Sequence, residues 1–340
     1  MLTKFRNKFN FYGLAVCVES DSSEIQLKLE KDFSHFKVNL EKEDPFLKIY
    51  IHNLRAPLNK IPNVKPVFDR KYSTTFDEGS VRYNNYRGKA LTIMNYEQEE
   101  VEIYSEDLNL LHELTYLIIL SRIGKRMDLE RLHRVHAMAF RLGRVDSIFM
   151  MNMGGGKSTL LSHLLNYKEV ELISDDIPII GKDGRVRPFP LRLGAYPEII
   201  KEIINPNENI YKMVRQEYGT KKLISVEGIV NKIASDNPNE IQIFFQGKRI
   251  KGPKCRIYRA NIFQKVYYLI FNMVIGFGLP MIFEYFWETG IRDFFRKTKI
   301  AIYRVIAMFK VILVSEFYIF ETGENPEYNG KFLYEFLKEK

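Results

Sequence analysis

A chain of 340 residues that is 46% hydrophobic and 27% charged can bury at least one full core and has the length for two domains, which excludes a disordered or fibrous protein. Its 51 Lys+Arg against 42 Asp+Glu give a net charge of +9, so a phosphorylated ligand, an acidic protein or an anionic membrane would be attracted; nucleic acid is not expected as a partner. Two cysteines, Cys17 and Cys255, make no disulfide framework, and the opening MLTKFRNKFNFYG lacks the apolar core of a signal peptide, so the expected setting is reducing and cytoplasmic.

In chain order, the first hundred residues read as short strands. These are YGLAVCVES from Tyr12, IQLKLEKDF from Ile25, LKIYIH from Leu47, and a meander of alternating apolar and polar residues in VRYNNYRGKALTIMNYEQEEVEIYS. At Ser105 the period becomes helical, in SEDLNLLHELTYLIILSRIGKRMD, and a β-rich domain over 1–105 is expected to give way to a second domain over 106–340. That second domain continues with an apolar strand from Val145 to Met151, a glycine turn, a helix from Lys157 to about Asn166, and the strand EVELIS ending at Asp175 and Asp176. Strand, glycine loop, helix and strand form the βαβ grammar of an α/β fold.

The glycine turn carries the chemistry. A phosphate loop needs G-x-x-x-x-G-K-[ST], and Gly156, Lys157 and Ser158 match it, but Met151 stands where the first glycine belongs. Physically, the loop must curl backbone N–H groups around a phosphate at a helix N-terminus, with a lysine for the outer phosphates and a hydroxyl for Mg²⁺. Gly154, Gly155 and Gly156 supply the backbone freedom, and Lys157, Ser158 and Thr159 open the helix. The competing reading is a flexible capped turn. Asp175 and Asp176 at the tip of the next strand would face the same crevice, one holding Mg²⁺ and the other taking a proton.

Residues 134–180, RVHAMAFRLGRVDSIFMMNMGGGKSTLLSHLLNYKEVELISDDIPII, resemble the core of the HPr kinase/phosphorylase family, related to the phosphoenolpyruvate carboxykinase type of phosphate-loop fold. A histidine before the strand, the Gly-Lys-Ser loop and the Asp-Asp pair carry the likeness. The resemblance implies an α/β phosphate-loop kinase domain with a mixed or parallel sheet, preceded by a smaller β-rich domain. It also implies transfer of the γ-phosphate of ATP, with Mg²⁺, to a hydroxyl of a protein, peptide or small molecule, typically a serine, and rings or dimers as the oligomeric form. Carried over, His136 lies near the phosphates, Lys157 binds the β and γ groups, Ser158 holds Mg²⁺, Asp175 is the base and Asp176 a metal partner. His133 and His136 at one helical turn also suggest metal ligands, but no further Cys or His lies near enough in sequence to complete a zinc site.

After the acids, GKDGRVRPFPLRLGAYPEII holds Arg185, Arg187 and Arg192; Arg192 is the candidate to stabilise transferred charge, against a reading as a solvated hairpin. A hydrophobic helical insertion is expected at about 262–314, and its stretch from Arg292 to Lys310 carries six basic residues and one acid. A buried helical hairpin, covering the sheet or pairing with a second copy, is the preferred reading of this insertion, with peripheral membrane contact through 262–310 as the alternative. Two other functions stay open: a nucleotide-binding regulatory protein without turnover, and a membrane-associated kinase acting on a lipid- or glycan-linked acceptor.

Overall fold

The structure, a computed structural model, describes residues 4–39, 44–152, 154–194, 199, 209–215, 219–288 and 290–340. Two compact units divide the chain, one built from residues 1–125, 212–221 and 280–293, the other from residues 126–211, 222–279 and 294–340.

The first unit is organised on an eight-stranded sheet. Its strands are β1 (Phe5–Phe11), β2 (Leu14–Ser20), β3 (Leu47–His52), β4 (Phe68–Asp69), β5 (Thr74–Glu78), β6 (Val81–Asn85), β7 (Ala90–Asn95) and β8 (Glu100–Ser105). They lie in the order β1-β2-β3-β8-β7-β6-β5-β4. β3 pairs in parallel with both β2 and β8, whereas the remaining pairs are antiparallel. Strict burial alternation along β3 reflects a sheet with one face on the core.

The segment IQLKLEKDF, expected as a strand, is instead helix α1 (Ser23–Asp32). Its first residues alternate apolar and polar, which imitates a strand. Burial of Ile25, Gln26, Leu29 and Asp32, with Leu27 exposed, follows the helical period instead. Phe33, just beyond α1, meets Phe9 and Phe11 with ring centroids 5.3 and 5.4 Å apart. Helix α2 (Leu108–Leu129) follows β8.

The second unit is a mixed α/β structure around a six-stranded sheet. β9 (His133–Arg134) precedes the strand pair β10 (Met138–Leu142) and β11 (Val145–Met150), and helix α3 (Lys157–Leu165) leads to β12 (Val170–Ser174). Next come β13 (Ile179–Ile180), β14 (Val186–Arg187) and β15 (Arg192–Leu193), and then β16 (Ile210–Arg215) and β17 (Gly219–Ser225), of which residues 212–221 count with the first unit. Last are β18 (Ile241–Arg249), β19 (Arg256–Arg259) and β20 (Glu316–Thr322). The main sheet runs β12-β10-β11-β18-β20-β19, with β11, β18 and β20 parallel and β10 antiparallel to both its neighbours. Both parallel and antiparallel pairs therefore occur in it.

One detail of this order differs from a simple βαβ unit. β12 is not beside β11, because the β10–β11 hairpin, turning at Gly143, inserts β10 between them. Two antiparallel steps still leave β11 and β12 pointing the same way. Every residue of β11 is buried, and its Asp146 is held by Arg141 of β10 at 2.7 Å, which offsets the cost of carrying a carboxylate into the sheet. Leu160, Leu161, Leu164 and Leu165 of α3 pack on one face with Phe149, Phe245 and Phe320 and with helix α7 (Pro326–Lys338).

Helix α4 (Ile262–Leu269), a π-helical continuation over Ile270–Ile275, helix α5 (Phe283–Phe286) and helix α6 (Ile291–Val314) make up the hydrophobic insertion. In the second unit, Leu269, Met273, Ala307, Met308 and Val311 cover the opposite face of the sheet with Ile148, Phe244 and Phe317. The expectation of a buried hairpin holds for that side alone. Phe263 is 83% exposed, Phe309 56% and Leu313 83%, so the outward sides of α4 and α6 are apolar and uncovered. Among the described residues, no helix is long and apolar enough to cross a membrane.

Candidate functional site

Strand direction explains why distant residues meet. Chain leaves β11 at Met150 and β12 at Ser174, and enters β10 at Met138; because β10 runs opposite to both, these three points share one edge of the sheet. His136, the glycine turn and the Asp175-Asp176 pair thus emerge together, at the carboxyl ends of the parallel strands where α/β proteins place ligands.

The turn is shaped by glycine where it must be. Gly154 has φ +75° and Gly156 φ +102°, left-handed values that a residue with a Cβ adopts at a cost of roughly 1 kcal/mol. Gly156 is the residue from which α3 starts, and its carbonyl accepts the first helical bond from Leu160 at 2.9 Å. The turn itself closes by Gly155 N–H donating to the Asn152 carbonyl at 3.0 Å.

Met151, the departure from the phosphate-loop pattern, has a structural role. Its side chain is 4% exposed and belongs to the core cluster beneath α3. It crosses directly under Gly155: a Cβ on Gly155 would lie 2.6 Å from Met151 Cγ and 2.8 Å from its sulfur. The middle glycine of the loop is therefore required by the methionine that replaces the first one.

Lys157 is 8% exposed, and its ammonium donates to the Met151 carbonyl at 2.8 Å and approaches His136 Nε2 at 3.1 Å. On the other side of the imidazole, Nδ1 lies 2.9 Å from the Phe277 carbonyl, which can only accept. The tautomer assigned by that partner carries its hydrogen on Nδ1 and turns the Nε2 lone pair to the lysine. His136 is held further by Gly278, where a Cβ would fall 2.3 Å from Nδ1.

The two aspartates occupy different surroundings. Asp175 is 7% exposed; it accepts from Ser158 Oγ at 3.1 Å through one oxygen and from the Gly194 N–H at 2.7 Å through the other. Asp176 has a side chain 48% exposed and lies 3.4 Å from His136 Nε2. Ser158 thus stands with Asp175, not with Asp176. Thr159 is half-buried in the first turn of α3.

Arg192 sits in β15, two residues before the Gly194 amide that binds Asp175, so its strand reaches the site through the backbone. Residues 195–198 and 200, within the same sequence stretch, lie outside the described residues. Arg185 and Arg187 do not gather there. Arg187 pairs with Asp183 at 2.7 Å across the Asp183-Gly184 turn between β13 and β14, and Arg185 donates to the Asn239 carbonyl at 3.2 Å. These two are the arginines of a structural hairpin.

His133 serves the scaffold. It is fully buried, with Nδ1 3.0 Å from Asp128, and Asp128 also forms an ion pair with Arg304 at 2.7 Å. Burial alone would push the Asp128 carboxyl up, yet Arg304 and His133 together bring it down to about 2. Sequence reading passed over this cluster because Asp128 and Arg304 are far apart in the chain. Among the described residues no group of three or more His, Cys, Asp or Glu could hold a metal by itself.

No protein-family model matches the sequence, and comparison with curated proteins finds no match.

Proposed function

We propose that this protein is an ATP-dependent phosphotransferase that uses the turn at 154–158 to hold the polyphosphate and the Asp175-Asp176 pair to handle metal and proton. The observation carrying this reading is the convergence, at one sheet edge, of a lysine, a hydroxyl at a helix start, and two carboxylates in unlike surroundings. A lone glycine turn would not require that company.

The donor set fits the ligand. Backbone N–H groups at the start of α3 and the Lys157 ammonium suit phosphate oxygens, and Ser158 Oγ with Asp175 Oδ1, 3.1 Å apart, is a pair of hard oxygens suited to Mg²⁺. Ser158 and Asp175 would hold Mg²⁺ there, and the ion would supply neutralisation of phosphate charge. Lys157 exchanges its hydrogen bonds to Met151 and His136 for the β and γ groups, and His136 limits its swing.

The geometry favours a division of labour other than the one carried over from the family. Asp175, buried and doubly hydrogen-bonded, suits the metal, while Asp176, half-exposed and beside His136, suits the acceptor. As the acceptor oxygen bonds to the γ-phosphorus and the bridging P–O bond breaks to release ADP, Asp176 takes the hydroxyl proton. The acceptor class, a serine hydroxyl of a protein or peptide, rests on the resemblance to the HPr kinase family alone.

Regulatory nucleotide binding without turnover is favoured by one observation, the full internal engagement of Lys157. Hydrolysis of MgATP, with water as the acceptor, separates the readings. Wild type is expected to release phosphate, Asp176→Asn to lose at least about 10-fold in rate while retaining affinity for a fluorescent ATP analogue. Binding without any phosphate release would favour the regulatory reading; absence of binding would overturn both.

A further inference from the structure

The exposed side of α6 is a continuous apolar stripe. Phe294, Phe295, Ile302, Ile306, Phe309 and Leu313 are between 47% and 83% exposed. At the α-helical turn of roughly 100° per residue they fall within an arc of about 120°, opposite the buried Ile300, Ala307 and Val311. From Phe294 to Leu313 the stripe extends about 30 Å. Helix α4 and its continuation add Phe263, Tyr267, Phe271 and Ile275, and the turn just after them adds Phe277, all more than two-fifths exposed. Apolar surface on this scale marks a contact with something else.

Charge identifies the partner. Lys299 and Lys310 are exposed at one border of the stripe by the same helical geometry, the Lys310 ammonium donating to the Lys182 carbonyl at 2.7 Å, and Arg296 is exposed beyond them. Between Ile262 and Val314 the acids are Glu284, Glu288 and Asp293, and each is turned inward within the first unit. Their side chains are 6%, 9% and 1% exposed and pair with Arg70, Arg122 and Lys125. The outward face is thus apolar and basic, with its acids withdrawn. A second copy of the chain would set basic border against basic border across a two-fold contact, an arrangement that like charges oppose.

We propose that the outward faces of α4 and α6 bind peripherally to an anionic lipid bilayer, the aromatic and aliphatic side chains entering the interface and Lys299 and Lys310 meeting the headgroups. The helices lie on the bilayer and do not cross it. This inference stands independently of the nucleotide site.

Vesicle flotation of the full chain tests it. The chain is expected to float with vesicles of phosphatidylcholine and phosphatidylglycerol at low salt, at least about 10-fold more than with phosphatidylcholine alone, and to be released by high salt. Ile306→Glu/Phe309→Glu and, separately, Lys299→Glu/Lys310→Glu should each lower the floated fraction at least about 10-fold with the circular dichroism spectrum unchanged, because all four side chains are exposed. Absence of flotation would overturn the proposal. So would a dimer, measured by light scattering, that the apolar double variant dissolves while flotation stays unaffected.

Discussion

Exchange of Gly155 for alanine tests the reading of the loop most sharply at the level of single atoms. The added methyl would be placed 2.6 Å from Met151 Cγ, 2.8 Å from Met151 Sδ and 3.0 Å from the Asn152 carbonyl, all below ordinary contact distance. Overpacking of this kind destabilises by roughly 1–3 kcal/mol. Met151→Ala alone empties a buried core position and should destabilise by roughly 2–5 kcal/mol. If the two side chains compete for one volume, the double variant Gly155→Ala/Met151→Ala recovers part of the loss, with a coupling of about 1–2 kcal/mol in its favour. Urea unfolding of the four proteins, at equal m-values, gives the cycle directly. Effects that add to within about 0.5 kcal/mol would show that Met151 does not dictate the glycine, and the explanation of the departed loop pattern would fail.

Gly278→Ala should displace His136, since its Cβ would meet the imidazole at 2.3 Å and Gly278 has φ +87°; affinity for a fluorescent ATP analogue is expected to fall, and an unchanged affinity would detach His136 from the site. Asp128→Asn leaves Arg304 buried without its counter-charge and should destabilise by roughly 3–5 kcal/mol in chemical unfolding. The pH profile of that difference follows from the carboxyl held at about 2 in the folded chain against an ordinary 3.8. A depressed carboxylate contributes above its unfolded value and loses that contribution as pH falls through the folded one. The gap between wild type and Asp128→Asn should therefore shrink by roughly 2 kcal/mol from above pH 4 to about pH 2, and a flat gap would contradict the ion pair. Asp175→Asn should weaken the Mg²⁺ dependence of ATP binding more than Asp176→Asn does, as magnesium titrations would read; the reverse order would restore the roles implied by the family resemblance.

Local pattern made much of this chain legible. The meander before Ser105 and helix α3 carry a clear period, and β11 announces itself as an unbroken apolar run that ends at the glycine turn. Where two periods fit the same letters the reading failed: IQLKL alternates like a strand, and only tertiary burial of Ile25, Leu29 and Asp32 selects the helix. The β10–β11 hairpin escaped for another reason, because Met138–Leu142 is buried throughout and shows no alternation to announce a strand. Its insertion brings His136 to the loop, so the site's third member depends on a pairing invisible in sequence.

Roles within the site were less legible than its membership. Asp175 and Asp176 are neighbours in the chain, and only the backbone turn after β12 gives one to Ser158 and Gly194 and the other to His136. Arg185 and Arg187 matched an anion-binding loop by composition, but Asp183 takes Arg187 and the Asn239 carbonyl just ahead of β18 takes Arg185. Likewise the apolar content of 262–314 suggested burial. Which side of α6 is covered is a question of packing partners, and hydrophobicity alone does not answer it.

Calorimetric titration of MgATP into the wild-type chain and into Lys157→Met tests the central claim most directly. Wild type is expected to bind one equivalent, and the variant, folded by circular dichroism, to bind at least about 10-fold more weakly because the outer phosphates lose their cation. Equal affinity in the two proteins, or no heat in either, would contradict a phosphate-holding loop at residues 154–158.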